Sequence, residues 1–167
     1  MASVGNGTRI TLRPALPADG GQLAEIAREA YGKYLAELDE PPAPILLDYE
    51  KVAAAGRTYL AVEADEVLGM VTVEPSDPHL ILRNLAVRPS HQGRGIGRRL
   101  VSLVEEMARD ADLRGVRLWT RAEMSDNIAF YKGLDYVYTH SEETVNARRV
   151  FFIKDLNPAA DRNGSAQ

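Results

Sequence analysis

The residues of this chain with the plainest chemical purpose lie together in "AVRPSHQGRGIGRRL", positions 86–100. Gly93, Gly95 and Gly97 alternate there with Arg94, Ile96 and Arg98, just behind Gln92 and just ahead of an apolar helical pattern. Glycine lacks a Cβ and lets backbone N–H groups approach a ligand, at a cost in chain entropy. Bare backbone, positive charge and a helix N-terminus in one place suit an anion, above all a phosphate. Amides from Gly93 to Arg98 would face it, and Arg94 and Arg98 would add charge-assisted hydrogen bonds.

The elements that must position this loop can be read on either side of it. "RITLRP" alternates as a strand and stops at Pro14. Leu23, Ile26, Ala27, Ala30, Tyr31 and Tyr34 then recur at helical spacing, and Asp19 with Gln22 has the form of a capping box at the helix start. The prolines of "DEPPAPILLDYE" end that helix, and a short one is expected over Tyr49–Ala55. "RTYLAVE", "VLGMVTVEP" and "HLILRNLAV" read as three strands with turns at 64–66 and 76–78. The helix after the glycine loop presents Ile96, Leu100, Leu103, Val104, Met107 and Ala111 on one face. "GVRLWT" follows as a buried strand with Trp119 in the core, then a short helix over Asn127–Leu134, then strands "YVYTH" and "RRVFFIKDL". The order β-α-α-β-β-β-α-β-α-β-β predicts an α/β fold: one domain over residues 1–156, a mixed sheet with helices on both faces. The polar tail 157–167 is expected to be disordered.

Composition narrows the partners. With 45% apolar and 26% charged residues the 167-residue chain is ordinary for a soluble globular protein. A net charge of −4 argues against general nucleic-acid binding. The chain has no cysteine, which rules out disulfides, thiolate metal sites and a cysteine nucleophile, and fits a reducing cytoplasm. His79, His91 and His140 share no metal-ligand spacing, so no metal is expected. "MASVGNGTRITLRP" lacks the charged and apolar regions of a signal peptide, and no apolar stretch approaches the roughly 18 residues of a membrane span.

Three phosphate-binding patterns compete for the loop. A Walker A loop requires Lys and Ser or Thr after its last glycine, where this chain has Arg98 and Arg99. A dinucleotide fingerprint requires a tight turn directly after the strand, whereas 88–92 intervene between Val87 and Gly93, and its third glycine would fall on Arg98. What remains is a pyrophosphate loop at a helix N-terminus, reached from a strand, Leu85–Val87, that itself lines the ligand site.

"NLAVRPSHQGRGIGRRL" resembles the signature [QR]-x-x-G-x-[GA] of the GCN5-related N-acetyltransferase superfamily, with Gln92, Gly95 and Gly97 in its three places. "MSDNIAFYKGLDYV" resembles the family's second segment, N-x-x-x-Y, at the right distance. The resemblance covers roughly residues 8 to 156. It implies a mostly antiparallel twisted sheet whose fourth and fifth strands splay apart, and acetyl-CoA as co-substrate. The pantetheine arm would then lie in the gap against Leu85, Ala86 and Val87, with pyrophosphate on Gln92, Gly93, Arg94, Gly95, Ile96, Gly97 and Arg98. By the same resemblance Asn127 reaches the CoA arm and Tyr131 stands near the thioester sulfur. In this family a C-terminal strand of the "RVFFIKDL" kind often joins a dimer sheet, which the resemblance extends to this chain.

Acetyl transfer to an amine requires a neutral nucleophile, donors for the developing oxyanion, and a proton for the leaving thiolate. A backbone N–H near Leu85–Val87 is the natural oxyanion donor and Tyr131 the natural acid, with direct attack in a ternary complex. Relatives often carry a glutamate where this chain has Arg83, which leaves the base open among Glu74, Asp77, His79 and a water chain. Tyr31, Tyr34, Asp48 and Tyr49 resemble an acceptor-side pattern of one subgroup. Together with the acidic run Glu37, Asp39, Glu40 they suggest a cationic amine, from a small molecule or a peptide. The alternative function is a non-catalytic acyl-CoA sensor, which would keep the loop and need not keep Tyr131.

Overall fold

Alternating apolar residues and tight turns make the middle of the chain a meander, visible in a computed structural model that describes residues 8–157. The strands are β1 (Thr11–Pro14), β2 (Thr58–Glu63), β3 (Glu66–Ser76), β4 (His79–Val87), β5 (Gly115–Arg121), β6 (Val137–Glu143) and β7 (Arg148–Asp155). They form one sheet in the order β1-β2-β3-β4-β5-β7-β6. Only β4 and β5 pair in parallel; every other neighbouring pair is antiparallel. The helices α1 (Gly20–Tyr31), α2 (Tyr49–Ala54), α3 (Ile96–Asp110) and α4 (Ser125–Gly133) complete the expected order.

Two apolar clusters divide the sheet's faces. Ile96, Leu100, Val104 and Tyr131 pack with Leu68, Leu82, Val116, Leu118 and Phe152, whereas Leu23, Ile26, Tyr31 and Tyr49 pack with Leu60, Val67, Met70 and Ala86. Such burial of large apolar side chains is the main stabilising contribution, at about 25 cal/mol per Å2 removed from water. Glu105 is buried on α3 because Lys154 Nζ, at 2.9 Å, and the Tyr136 hydroxyl, at 3.2 Å, donate to it.

Several local expectations are corrected. The Asp19–Gln22 capping box does not form. Asp19 instead accepts from the Leu16 N–H at 2.7 Å and from both ends of the Arg13 guanidinium at 2.8 and 2.9 Å, while Gln22 Oε1 accepts from the Val67 N–H at 3.0 Å. The buried face of α3 is rotated from the expected one: Val101, Glu105 and Ala108 lie inside, and Ala111 is exposed. Trp119 is half-buried rather than core, because it alternates with Leu118 onto the sheet face away from α3. The β7 strand is flanked by β5 and β6, so it has no free edge to offer a second copy; the edge strands are β6 at that end and β1 at the other. The tail lies outside the described residues except for Asn157, whose Nδ2 donates to Leu113 O at 2.8 Å. The first residues of the segment read for a leader, 1–7, also lie outside them.

The sheet is irregular where it approaches the glycine loop. Thr72 faces Asn84 and Val73 faces Leu82, so Arg83 is an extra residue in β4. A bulge of this kind bends its strand. Pairing of β4 with β5 covers only His79–Ile81 against Gly115–Arg117, and beyond Arg83 the two strands are unpaired.

Candidate acetyl-CoA and acceptor site

The divergence of β4 and β5 leaves a row of backbone groups facing open space. Met70 faces Ala86, and the Arg88 N–H donates to Leu68 O at 2.8 Å, which marks these as the hydrogen-bonded pairs with β3. Antiparallel alternation then turns the N–H and C=O of Leu85 and Val87 the other way, into the gap. Two contacts agree: the Tyr31 hydroxyl reaches Leu85 O at 3.0 Å, and Gln92 Nε2 donates to Val87 O at 3.3 Å.

The chain continues from this edge into the glycine loop. Gly93 and Gly95 hold φ of 81° and 78°, left-handed conformations that side chains with a Cβ rarely adopt. Gly95 is the residue before α3, and the first helical hydrogen bond runs from the Arg99 N–H to Gly95 O at 3.0 Å. The N–H groups of Ile96, Gly97 and Arg98 therefore have no partner within the helix. They border a cavity of about 490 Å3 that is also lined by Leu85, Ala86, Val87, Gln92, Gly93 and Phe130. Gly97 has a different reason to be glycine: a Cβ there would stand 3.3 Å from the Phe130 ring of α4.

A second cavity, of about 670 Å3, opens on the other side of the gap. Tyr31, Leu85 and Asn127 line both, so the two meet at the middle of the unpaired strand edge. Tyr131 borders the second cavity, and its hydroxyl has no hydrogen bond among the described residues. Its ring is edge-on to Phe130 and Tyr136, and burial pushes its phenol above the ordinary tyrosine value. Asn127 Nδ2 donates to Thr120 Oγ1 at 3.4 Å, which ties α4 to the end of β5.

Not every sequence-predicted residue arrives at these cavities. Arg94 turns away from the loop to Glu63, at 3.0 Å, and to His91 Nδ1, at 2.9 Å. Asp48 caps α2 by accepting from the Lys51 N–H at 3.3 Å and lines neither cavity. Tyr34 borders the loop-side cavity rather than the second one, and its buried hydroxyl has no hydrogen-bond partner among the described residues. Tyr49 lines neither of the two, but its hydroxyl donates to Pro44 O at 2.6 Å and accepts from Asn84 Nδ2 at 3.3 Å. Burial pushes its phenol up to about 12. Asn84 Oδ1 in turn accepts from Tyr31 at 2.8 Å, so this chain of bonds ties α1, β4 and α2 to the Pro42–Pro44 wall of the second cavity.

None of the named base candidates reaches the second cavity. His79 sits at the opposite end of β4 against Gly115, Asp77 is in the turn before it, and Glu74 lies 2.6 Å from Arg83 in an ion pair. Residues that no motif marks do line it: Trp119, Arg121 and Arg149, with Glu40 as the one carboxylate among the lining residues. The remainder of the acidic run, Glu37 and Asp39, is not among them.

A bulged strand beside an open gap, leading into a glycine loop on a helix N-terminus, defines a class. The chain belongs to the acetyltransferase (GNAT) family, whose model matches residues 22–136. It is 29% identical over 160 residues to the aminoglycoside N(6')-acetyltransferase type 1 of Stenotrophomonas maltophilia, covering 90% of this chain and 96% of that one. It is 37% identical over 102 residues to the mycothiol acetyltransferase of Thermobispora bispora, covering 61% of this chain but only 31% of the other. Among solved structures, the PaiA N-acetyltransferase of Thermoplasma acidophilum, in complex with coenzyme A, aligns with a TM-score of 0.73 at 16% identity, over 89% of this chain and 99% of that one. The yncA protein of Salmonella typhimurium, solved with its cofactor acetyl-CoA, aligns with a TM-score of 0.70 at 20% identity, over 90% and 96%. These two likenesses establish the shared fold. No helix among the described residues is long and apolar enough to cross a membrane.

Proposed function

We propose that this protein transfers an acetyl group from acetyl-CoA to a primary amine of a small molecule or peptide, by direct attack in a ternary complex in the cytoplasm. The observation that carries the reading is the unpaired edge of β4 beyond Arg83, which runs straight into the free N–H groups of Ile96, Gly97 and Arg98. The two ends of this surface ask for the two ends of one ligand. Leu85 and Val87 offer alternating backbone donors and acceptors to an amide-bearing arm, and the start of α3 offers donors and a helix dipole to a pyrophosphate. Bound there, acetyl-CoA supplies an activated acyl group at the junction of the two cavities.

The chain's own groups then have definable tasks. A gap-facing N–H at Leu85 or Val87 donates to the carbonyl oxygen as charge develops on it, in a site where fixed dipoles need no reorganisation. Tyr131 is protonated at rest, because burial disfavours its anion, and it gives its proton to the departing sulfur and regains one from solvent. Asn127 holds the cofactor arm between the cavities. Glu40 is the wall carboxylate through which water carries the amine's proton to solvent. Metal ions have no part in this scheme. For a homodimer that extends the sheet at its C-terminal end, the edge is β6, with Val137 and Tyr138 exposed on it.

Release of free CoA thiol in the presence of a panel of amines and peptides, with mass spectrometry of the acceptors, tests the reading. An acetylated amine with matching CoA release is the expected result. Tight acetyl-CoA binding with no transfer to any amine would instead favour the acyl-CoA sensor.

A further inference from the structure

The acceptor-side cavity has a charge pattern that the acidic run in the sequence does not suggest. Trp119 and Arg121 are two apart on β5 and so share a face of the sheet. Arg149 of β7 stands directly opposite Arg121 in the register, on that same face. All three line the cavity, as does Arg83. Like charges directly opposite on neighbouring strands are destabilising. Even so, neither Arg121 nor Arg149 makes an ion pair among the described residues, although Glu142 of β6 stands opposite Arg149 in the register, engaged at 3.3 Å with His140 Nε2. Arg83 is different, being neutralised by Glu74 at 2.6 Å.

Arg149 is also held in place. Its guanidinium carbon lies 4.2 Å from the centre of the Trp119 ring, a cation–π contact, and its N–H groups make no side-chain hydrogen bond among the described residues. Both arginines are half-buried, where screening by solvent is weaker than on an open surface. Glu40, on an exposed loop, is the one carboxylate among the described residues that line the cavity, with Glu142 beside Arg149 just outside that lining. A polycationic acceptor would meet net repulsion here. A carboxylate or phosphate would meet two arginines from neighbouring strands, one of them held against Trp119.

We infer that the acceptor is an amine bearing an anionic oxyacid group, a carboxylate or a phosphate, which Arg121 and Arg149 hold while the amine reaches toward the junction at Leu85 and Asn127. This rests on the acetyl-transfer reading, and it assigns Arg121 and Arg149 as specificity-determining residues.

The test uses matched acceptors: an ω-amino carboxylate against its carboxamide, phosphoethanolamine against ethanolamine, and an aminoglycoside as the polycationic arm. CoA release is measured for wild type, Arg121→Gln and Arg149→Gln. The carboxylate and phosphate arms separate the two possible sources of negative charge. In wild type at least one anionic member should exceed its neutral partner by about tenfold or more in kcat/KM, the scale of one charge-assisted hydrogen bond. Either substitution should remove most of that preference while leaving acetyl-CoA affinity by calorimetry unchanged. Preference for the neutral or polycationic acceptor, or an anionic preference that survives both substitutions, overturns the inference. A parallel thermal-shift titration with the same anionic compounds, without acetyl-CoA, reads the arginine pair directly. Stabilisation by the anions that is lost in Arg149→Gln supports the anion site even if acetyl-CoA fails to bind, a failure that would count against the acetyl-transfer reading alone.

Discussion

Tyr131 combines a buried ring beside the second cavity with a hydroxyl that makes no hydrogen bond among the described residues, and on this its proposed role as proton donor rests. Tyr131→Phe keeps the edge-on contacts with Phe130 and Tyr136 and removes only the donor. Loss of a general acid costs about 10²–10⁴ in rate. A thiolate is a tolerable leaving group, since thiol pKa values lie around 8.5. The expected fall in kcat is therefore at the lower end, about 10²-fold, with acetyl-CoA affinity unchanged. Turnover within about threefold of wild type would make Tyr131 a packing residue, far short of the usual acid contribution. The loop glycines allow a sharper distinction. Gly95→Val strains a residue at φ 78° with open space around it, whereas Gly97→Val drives a branched side chain into Phe130. Both should abolish CoA binding by calorimetry. Only Gly97→Val should also disturb the packing of α4, read as altered near-ultraviolet circular dichroism.

At the scale of elements, the strands are legible in the sequence because each carries its own alternation and its own turn residues, and the pattern of β4 has the observed bounds, His79–Val87. Helix ends and helix faces are less legible, since they depend on partners distant in sequence. Asp19 has the form of a cap for α1, but Arg13 of β1 competes for its carboxylate and holds it against the Leu16 N–H. The same bonds depress the Asp19 pKa, with the hydrogen bond from Arg13 the largest cause. A carboxyl depressed in the folded state contributes stability above its unfolded value and loses it as pH falls through the folded one. Asp19→Asn should therefore lower stability at pH 7 by about 1–2 kcal/mol in urea unfolding, with the difference closing below about pH 4. An undiminished difference at about pH 2.5 would contradict this. Likewise Glu105 cannot be read as an interior residue of α3 without knowing that Lys154, 49 residues later, meets it there.

For the molecule as a whole, the cofactor half of the site is more legible than the acceptor half. The loop lies within one continuous segment, so its chemistry shows as a motif. The acceptor cavity is assembled from a loop near Pro42, the bulge at Arg83, the end of β5 and the start of β7, with no short-range pattern to announce it. That is why Asp48 and Tyr49 resemble acceptor contacts in the sequence, although one caps α2 and the other braces the cavity wall. Binding across both cavities should also stabilise the whole fold, because a ligand bound only by the native state shifts unfolding by mass action. Acetyl-CoA at about 100 times its Kd should add about 2.7 kcal/mol, visible as a clear rise in Tm; no rise at saturation would count against the site.

In the proposed complex acetyl-CoA lies along the unpaired edge of β4 with its pyrophosphate at the start of α3. Amide-resolved hydrogen exchange by NMR, with and without acetyl-CoA, tests it most directly. Leu85 and Val87, whose N–H groups face the gap, and Ile96, Gly97 and Arg98 should gain protection on binding. Ala86, whose N–H already pairs with β3, should change little. Protection confined to other segments, with Val87 and Gly97 exchanging as before, would place the cofactor elsewhere.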